Sequence, residues 1–155
     1  MSGPQDPVDG AVRATRALVG IAVRSLSAAL EVMTLPQYRV LVLVATRGPQ
    51  RSGDLAVELG VHPSTLTRTV DRLVGGGWVR RTSNPANRRE VLVEATGTGR
   101  ELVEDVTAHR RREVATVLER LAPDERARVG EGLALFAGAA GDPGAGELSR
   151  LGVER

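Results

Sequence analysis

The chain of 155 residues contains no cysteine. A disulfide, a thiolate metal site and a thiol redox switch are therefore excluded. Lysine is absent as well, since all 21 basic residues are arginine. We read this chiefly as the codon bias of a G+C-rich genome, although arginine also suits phosphate and guanine recognition better than lysine. Only two histidines occur, His62 and His109, far apart in the chain. With no cysteine beside them they give no basis for metal sensing. No nucleophile, base and orienting acid cluster in sequence, so no enzymatic activity and no cofactor is expected. Gly75-Gly76-Gly77 precedes a strand-like stretch, not a helix, and reads as a helix stop instead of a nucleotide loop. No charged-then-apolar leader and no apolar run of about 18 residues or more appears. The expectation is a cytoplasmic protein that does not engage membrane. This length supports one compact domain.

What is present is concentrated between Arg51 and Glu94. Gly53 to Leu59 reads as a short helix, with Ser52 as its N-cap and Gly60 as a left-handed stop. Gly60-Val61-His62 is a turn. Pro63, whose fixed φ suits a first helical position, opens a second helix that runs to Val74. Two helices joined by a short Gly-containing turn form the helix-turn-helix pattern, which lays its second helix in the DNA major groove. Leu66, Val70, Leu73 and Val74 follow helical spacing and should face a core. Thr65, Arg68 and Arg72, flanked by Ser64 and Asp71, should face outward. Ser and Thr exchange hydrogen bonds with many base edges, and Arg grips guanine O6 and N7 together. An ordinary amphipathic surface helix would show the same two faces. His62 is expected to cap poorly, and it stands either as a phosphate or base contact or as a plain turn residue.

The next stretch separates these readings. Trp78 to Arg81 and Glu90 to Val93 suit strands, around a tip of Thr82-Ser83-Asn84-Pro85-Ala86-Asn87-Arg88-Arg89 rich in turn formers. A basic ribbon after a helix-turn-helix is a winged helix. Its tip can lie over phosphates or enter a narrow minor groove. Arg88 and Arg89 are expected there, whereas Arg80 and Arg81 also suit strand solubility and edge protection. Net charge is only +2. Yet Arg68, Arg72, Arg80, Arg81, Arg88 and Arg89 face only Asp71 and Glu90 between Pro63 and Val93. A local basic footprint on a nearly neutral chain fits DNA binding by one surface.

The flanks read as helical scaffold. Met1 to Pro7 should be a loose leader. Val12, Val19, Val23, Leu26, Leu30 and Met33 give one long amphipathic helix from Val8 to Met33. Pro36 to Thr46 should be a short buried helix. Gly97 to Leu121 should be another long one, with Leu102, Val106, Val114, Val117 and Leu121 inward. Pro123 starts a last helix bearing Val129, Leu133 and Phe136. A winged-helix core cannot cover all of these stripes, so a homodimer through the terminal helices is the physical expectation. A twofold dimer presents its recognition helices about 34–36 Å apart, which calls for a near-palindromic duplex site.

Five segments, in order and spacing, resemble the MarR (multiple antibiotic resistance regulator) family of winged-helix transcription regulators. They are Leu35-Pro36-Gln37-Tyr38-Arg39-Val40-Leu41, Asp54 to Val61, Pro63 to Leu73, Thr96-Gly97-Thr98-Gly99-Arg100, and Leu121-Ala122-Pro123-Asp124-Glu125-Arg126. The resemblance covers roughly Val12 to Ala140. It implies a mainly α fold with a small β-hairpin wing, and a homodimer joined through the family's first, fifth and sixth helices. Residues 1–155 then form a single domain. Its helical dimerisation region is 8–34 and 97–140, its winged helix-turn-helix lobe 36–94, and its flexible tail 141–155. The wing departs from the family's Asp-x-Arg-Asp-x-Arg pattern. It reads Asn84-Pro85-Ala86-Asn87-Arg88-Arg89, so the Asp–Arg brace of the tip is lost.

The resemblance also implies a small, often aromatic or anionic ligand between the dimer interface and the DNA-binding lobe. Tyr38, Arg39 and His109 are the distinctive side chains near that position. A core tyrosine, a surface or phosphate-contacting arginine and a packed or interface histidine are the plainer readings of the three. The expected protein is a homodimeric double-stranded-DNA-binding regulator, a repressor. Ser64, Thr65, Thr67 and Arg68 should read the major groove with Arg72 also at the DNA, Arg88 and Arg89 should serve the minor groove or its phosphates, Arg51 and Ser52 could hold backbone phosphates, and His62 could touch a phosphate or base. The alternative is a winged-helix protein-interaction module without specific DNA binding, since fold alone does not settle function.

Overall fold

The structure, a computed structural model, describes residues 6–141, with the Arg88 side chain also outside the description. Of the expected leader, only Asp6 and Pro7 are described. Asp6 accepts a hydrogen bond from the Val8 amide at 2.9 Å, and Pro7 opens helix α1 (Pro7–Ser25). The expected tail lies outside the described residues beyond Gly141. No helix among the described residues is long and apolar enough to cross a membrane.

The long first helix that the apolar spacing suggests is in fact two helices, α1 and α2 (Ser27–Val32). The break has a local cause. The Ser25 hydroxyl donates to the Ala22 carbonyl at 2.7 Å, and the Leu26 amide reaches the Val23 carbonyl at 3.2 Å, one residue short of the α-helical partner. Such side-chain back-bonding tightens and bends a helix. Helix α3 (Leu35–Arg47) follows behind a Thr34/Gln37 capping box. Tyr38 and Val40 through Val44 are all buried along it, so it runs through the centre of the lobe.

The other elements cover α3. A short strand β1 (Gln50–Arg51) leads into α4 (Ser52–Leu59), then α5 (Pro63–Gly75), strands β2 (Val79–Asn84) and β3 (Asn87–Ala95), and the long α6 (Gly97–Leu118). Leu55, Ala56 and Leu59 face inward from α4, and Leu66, Val70 and Leu73 from α5. Val79, Val93 and Ala95 come from the sheet, and Val103 and Val106 from α6. These join the α3 residues in one cluster. The sheet is antiparallel in the order β1-β3-β2. Its first strand was not evident in the sequence, because two residues carry no periodicity.

Two residues adjust the expected inward faces. Val74 is exposed, and Val117 on α6 faces outward while Val103 takes a core position. Helix α7 (Pro123–Ala140) buries no residue within the chain. Its Val129, Leu133 and Phe136 line an open apolar cleft against Gly10, Ala11, Ala14 and Leu18 of α1.

The Thr96-Gly97-Thr98-Gly99-Arg100 segment joins the lobe to α6. The Thr96 hydroxyl donates to the Gly77 carbonyl at 2.7 Å and accepts from the Gly99 amide at 3.1 Å. Arg100 donates to the Ala95 carbonyl at 2.7 Å. A Cβ on Gly99 would press into the Trp78 carbonyl and the Leu41 side chain. Gly99→Ala should therefore destabilise the chain by about 1–3 kcal/mol, the usual cost of overpacking. The check is the urea midpoint. A midpoint equal to that of the unaltered protein would show that α6 shifts freely against the lobe.

Candidate nucleic-acid interface

The turn between α4 and α5 is set by its backbone. Gly60 adopts φ +64°, and the Val61 amide reaches back to the Ala56 carbonyl at 3.0 Å. This six-to-one closure needs a left-handed residue at its corner, where glycine meets no steric penalty. Helix α4 begins one residue earlier than expected. Ser52 lies inside its first turn, Arg51 holds the N-cap position, and no side chain caps it. The first amides of α4 are thus left for an external acceptor such as phosphate.

Helix α5 does have a side-chain cap, and it is the histidine expected to cap poorly. His62 Nδ1 accepts from the Ser64 amide at 3.3 Å and lies 2.8 Å from Ser64 Oγ. The neutral tautomer with its proton on Nε2 satisfies both contacts. The ring therefore takes the part normally given to a hydroxyl or carboxamide oxygen.

The outward face of α5 holds the sequence-predicted residues together. Ser64, Thr65, Thr67, Arg68 and Arg72 are all exposed, opposite the buried Leu66, Val70 and Leu73. Thr67 is partly committed, since its hydroxyl donates to the Pro63 carbonyl at 2.9 Å. It retains acceptor lone pairs and a methyl group. Arg68 and Arg72 have no acidic partner within 4.0 Å among the described residues, so their charge faces outward uncompensated. Asp71, the one acid on this face, is taken up by Arg81 at 2.6 Å.

That pair also ties the wing to α5. Arg80 meets Glu94 across the sheet at 3.1 Å, in the register where the two residues are direct partners. Hydrogen bonding to Glu94 raises the Arg80 pKa further above its ordinary value. Arg80 and Arg81 are thus strand and anchor residues. Arg51 pairs with Glu90 of β3 at 2.9 Å. Asp71 and Arg81 could not be paired from sequence, because their contact depends on where the hairpin folds back.

The wing tip is tighter than the sequence suggests. Strand β2 continues to Asn84 and β3 starts at Asn87, leaving Pro85 and Ala86 as the turn. Arg88 and Arg89 therefore belong to β3 and not to a loose tip. The two asparagines replace the missing Asp–Arg brace with amide hydrogen bonds. Asn84 Oδ1 accepts from the Ala86 amide at 3.0 Å, and its Nδ2 donates to Glu90 at 2.7 Å. Asn87 Oδ1 accepts from the Arg89 amide at 3.2 Å. The Arg89 side chain is exposed.

The three residues suggested for a ligand stand in different settings. Tyr38 is fully buried in the core around α3. His109 sits on α6 and contacts Glu113 one turn on at 3.3 Å, with much of its side chain exposed. It is half-exposed in the single chain and not part of the core. Arg39 is half-buried on α3. The cleft between α3 and α6 is lined instead by Ala45, Thr46, Arg100, Val103, Glu104 and Arg111, among others.

A helix-turn-helix with a braced basic hairpin on one side and long helices on the other defines a winged-helix regulator. The MarR family profile matches residues 33–91. The chain is 31% identical over 104 residues to the HTH-type transcriptional regulator YfiV of Bacillus subtilis, a match spanning 67% of this chain and 65% of that one. RV1404 of Mycobacterium tuberculosis superposes with a TM-score of 0.77 at 40% identity, over 92% of this chain and 99% of its own. A mutant of S. aureus MepR, solved bound to an oligodeoxyribonucleotide, shares the fold alone, with a TM-score of 0.67 at 16% identity over 89% of this chain and 100% of its own. The chain belongs to the MarR family, a family of transcriptional regulators.

The cap at His62 is open to a direct test. His62→Ala should lose about 1 kcal/mol of stability, while His62→Asn, which supplies another capping acceptor, should retain it. Chemical denaturation of the three proteins reads this. Equal midpoints for all three would show that the imidazole contributes nothing to the helix.

Proposed function

We propose that the chain is a sequence-specific double-stranded-DNA-binding transcriptional repressor that works as a homodimer on a near-palindromic operator. The observation that carries this is the outward face of α5. It presents Ser64, Thr65, Thr67, Arg68 and Arg72 on a rigid helix, with both arginines uncompensated, while the chain's own acids occupy the neighbouring Arg51, Arg80 and Arg81. Asp71, the acid on that face, is drawn to Arg81 of β2 and not to Arg68 or Arg72. In this reading Arg68 reads base edges and Arg72 meets the adjacent backbone. Ser52 and the uncapped start of α4 hold phosphate, with His62 Nε2 beside them. Arg89, with Arg88, serves the minor groove or its phosphates.

Exposed apolar side chains support the homodimer. Val8, Val12, Val19 and Val23 on α1 and Leu133, Leu135 and Phe136 on α7 are exposed in the single chain. A run of this size on the terminal helices is what an association surface offers. The family membership supports the finer reading that a small ligand releases the DNA, and a cytoplasmic location follows from the same role. Release requires that the ligand distinguish DNA-competent from incompetent spacings of the two lobes.

The test is binding of the purified protein to its own upstream DNA and to an unrelated duplex at two salt concentrations. Specific, steeply salt-dependent retention is expected. Equal weak binding to both duplexes, with a protein partner recovered instead, would favour an interaction module. Arg68→Ala should cost about 1–3 kcal/mol of operator affinity and relax base preference at one position. An unchanged affinity removes Arg68 from the readout. Arg89→Ala should weaken binding on all sequences and reduce the salt slope by about one unit. An unaltered slope would take its guanidinium off the phosphates.

A further inference from the structure

The histidine cap of α5 also fixes the direction of a hydroxyl. The Ser64 amide points its proton at His62 Nδ1 across 3.3 Å. An amide nitrogen only donates, so Nδ1 is the acceptor and carries no proton of its own. Ser64 Oγ lies closer still, at 2.8 Å from the same nitrogen. Two lone pairs facing each other at that distance would repel. The hydroxyl proton therefore lies between them, and Ser64 donates to the ring.

That spends the one proton the hydroxyl has. A serine hydroxyl carries one donor and two acceptor lone pairs. Ser64 is exposed at the second position of α5, so it shows only acceptor lone pairs outward. Thr67 and Thr69 also turn their protons inward, to the Pro63 and Thr65 carbonyls at 2.9 and 3.0 Å. Theirs is the back-bond to the preceding turn that helical threonines commonly make. Of the three, only Ser64 has its proton held by another side chain. A residue outside the helix thus decides the polarity of its hydroxyl.

We propose that His62 positions Ser64 as a hydrogen-bond acceptor toward the major groove, so that α5 selects an exocyclic amino group, adenine N6 or cytosine N4, at that point. This role rests on α5 entering the DNA as proposed above. Each base pair shows the major groove one amino group and one carbonyl oxygen, on opposite strands. A freely turning hydroxyl accepts from the one or donates to the other, and so distinguishes little. With its proton turned back to Nδ1, the hydroxyl meets adenine N6 or cytosine N4 with a lone pair. At guanine O6 or thymine O4 it would set lone pair against lone pair. The same polarity keeps it off phosphate oxygens, which only accept. His62 need touch no base itself and is a positioning residue.

The experiment is selection of bound duplexes from a randomised pool by the unaltered protein, Ser64→Ala, His62→Asn and His62→Gly. Base preference is read instead of affinity, because any contact of His62 Nε2 with phosphate weighs on all sequences alike. The unaltered protein should enrich adenine or cytosine at one position of each half-site. Ser64→Ala should lose that preference by roughly three- to tenfold, the span of one net hydrogen bond. His62→Asn, whose carboxamide oxygen accepts from the amide and the hydroxyl alike, should keep it. Glycine is tolerated at an N-cap but offers no side-chain acceptor, so His62→Gly should admit guanine or thymine there. A selected duplex whose base lacks only the amino group should bind the unaltered protein more weakly by the same factor, and Ser64→Ala no more weakly. Guanine or thymine enriched at the Ser64-dependent position, equal preferences in His62→Asn and His62→Gly, or no position that depends on Ser64 would overturn the role while leaving specific binding intact. No enrichment of any sequence by the unaltered protein would instead strike the DNA-binding reading, and this role with it. Should His62→Gly fail to fold, the imidazole nitrogen shifts of the unaltered protein on its selected duplex decide the matter. An unprotonated Nδ1 supports the role and a protonated one rejects it.

Discussion

Tyr38 and Val40 through Val44 leave α3 almost no polar face to turn toward water. A helix apolar nearly all round must be covered nearly all round. Helices α4 and α5, the three-stranded sheet and α6 are the cover, and the direction each can take follows from that demand. Leu66, Val70 and Leu73 commit one face of α5 to α3, so Arg68 and Arg72 are turned outward by default. Val79 and Val93 commit one face of the hairpin, which puts Arg81 within reach of Asp71. The outward face is therefore positioned by the core behind it.

Charge follows the same constraint. The net charge of +2 understates the local field, because six arginines stand against Asp71 and Glu90 between Pro63 and Val93. Asp71 holds Arg81, Glu94 holds Arg80, and Glu90 holds Arg51 and Asn84. Each pair fixes the hairpin against α5 or β1, or one of its strands against the other, and Arg68, Arg72 and Arg89 keep their charge. Exposed pairs of this kind add little stability individually. They join the hairpin to α5 and β1 and its two strands to each other. The asparagines at the tip add hydrogen bonds to Ala86, Glu90 and Arg89.

Much of this was legible in the residues. Gly60, Pro63 and the spacing of Leu66, Val70 and Leu73 placed the turn and both faces of α5, because those signals are local and carry fixed backbone or periodic meaning. Thr96, Gly99 and Arg100 were visible as a motif, while their purpose was not. Only the fold shows that Gly99 is small because the Trp78 carbonyl lies against it. The helix break at Ser25, the two-residue strand β1 and the register of the wing were missed. Each depends on a single hydrogen bond or a cross-strand pairing that apolar periodicity does not record. His62 was misjudged because capping preferences describe residue types, and here the ring happens to point back at the Ser64 amide.

The sequence by itself determined the class of protein. Periodicity, turn residues and the cluster of arginines between Pro63 and Val93 specify a winged helix with one basic face, and these are properties of neighbouring positions. The tertiary structure decided which of those arginines remain unpaired and which are anchors. It also decided that Tyr38 is core, that His109 contacts Glu113, and that Arg110 gives its Nε to Ser25 while its two terminal nitrogens are shielded. Pairing and burial are set by residues distant in the chain. A run such as Arg110-Arg111-Arg112 reads as uniform surface until another helix is laid across one of its members.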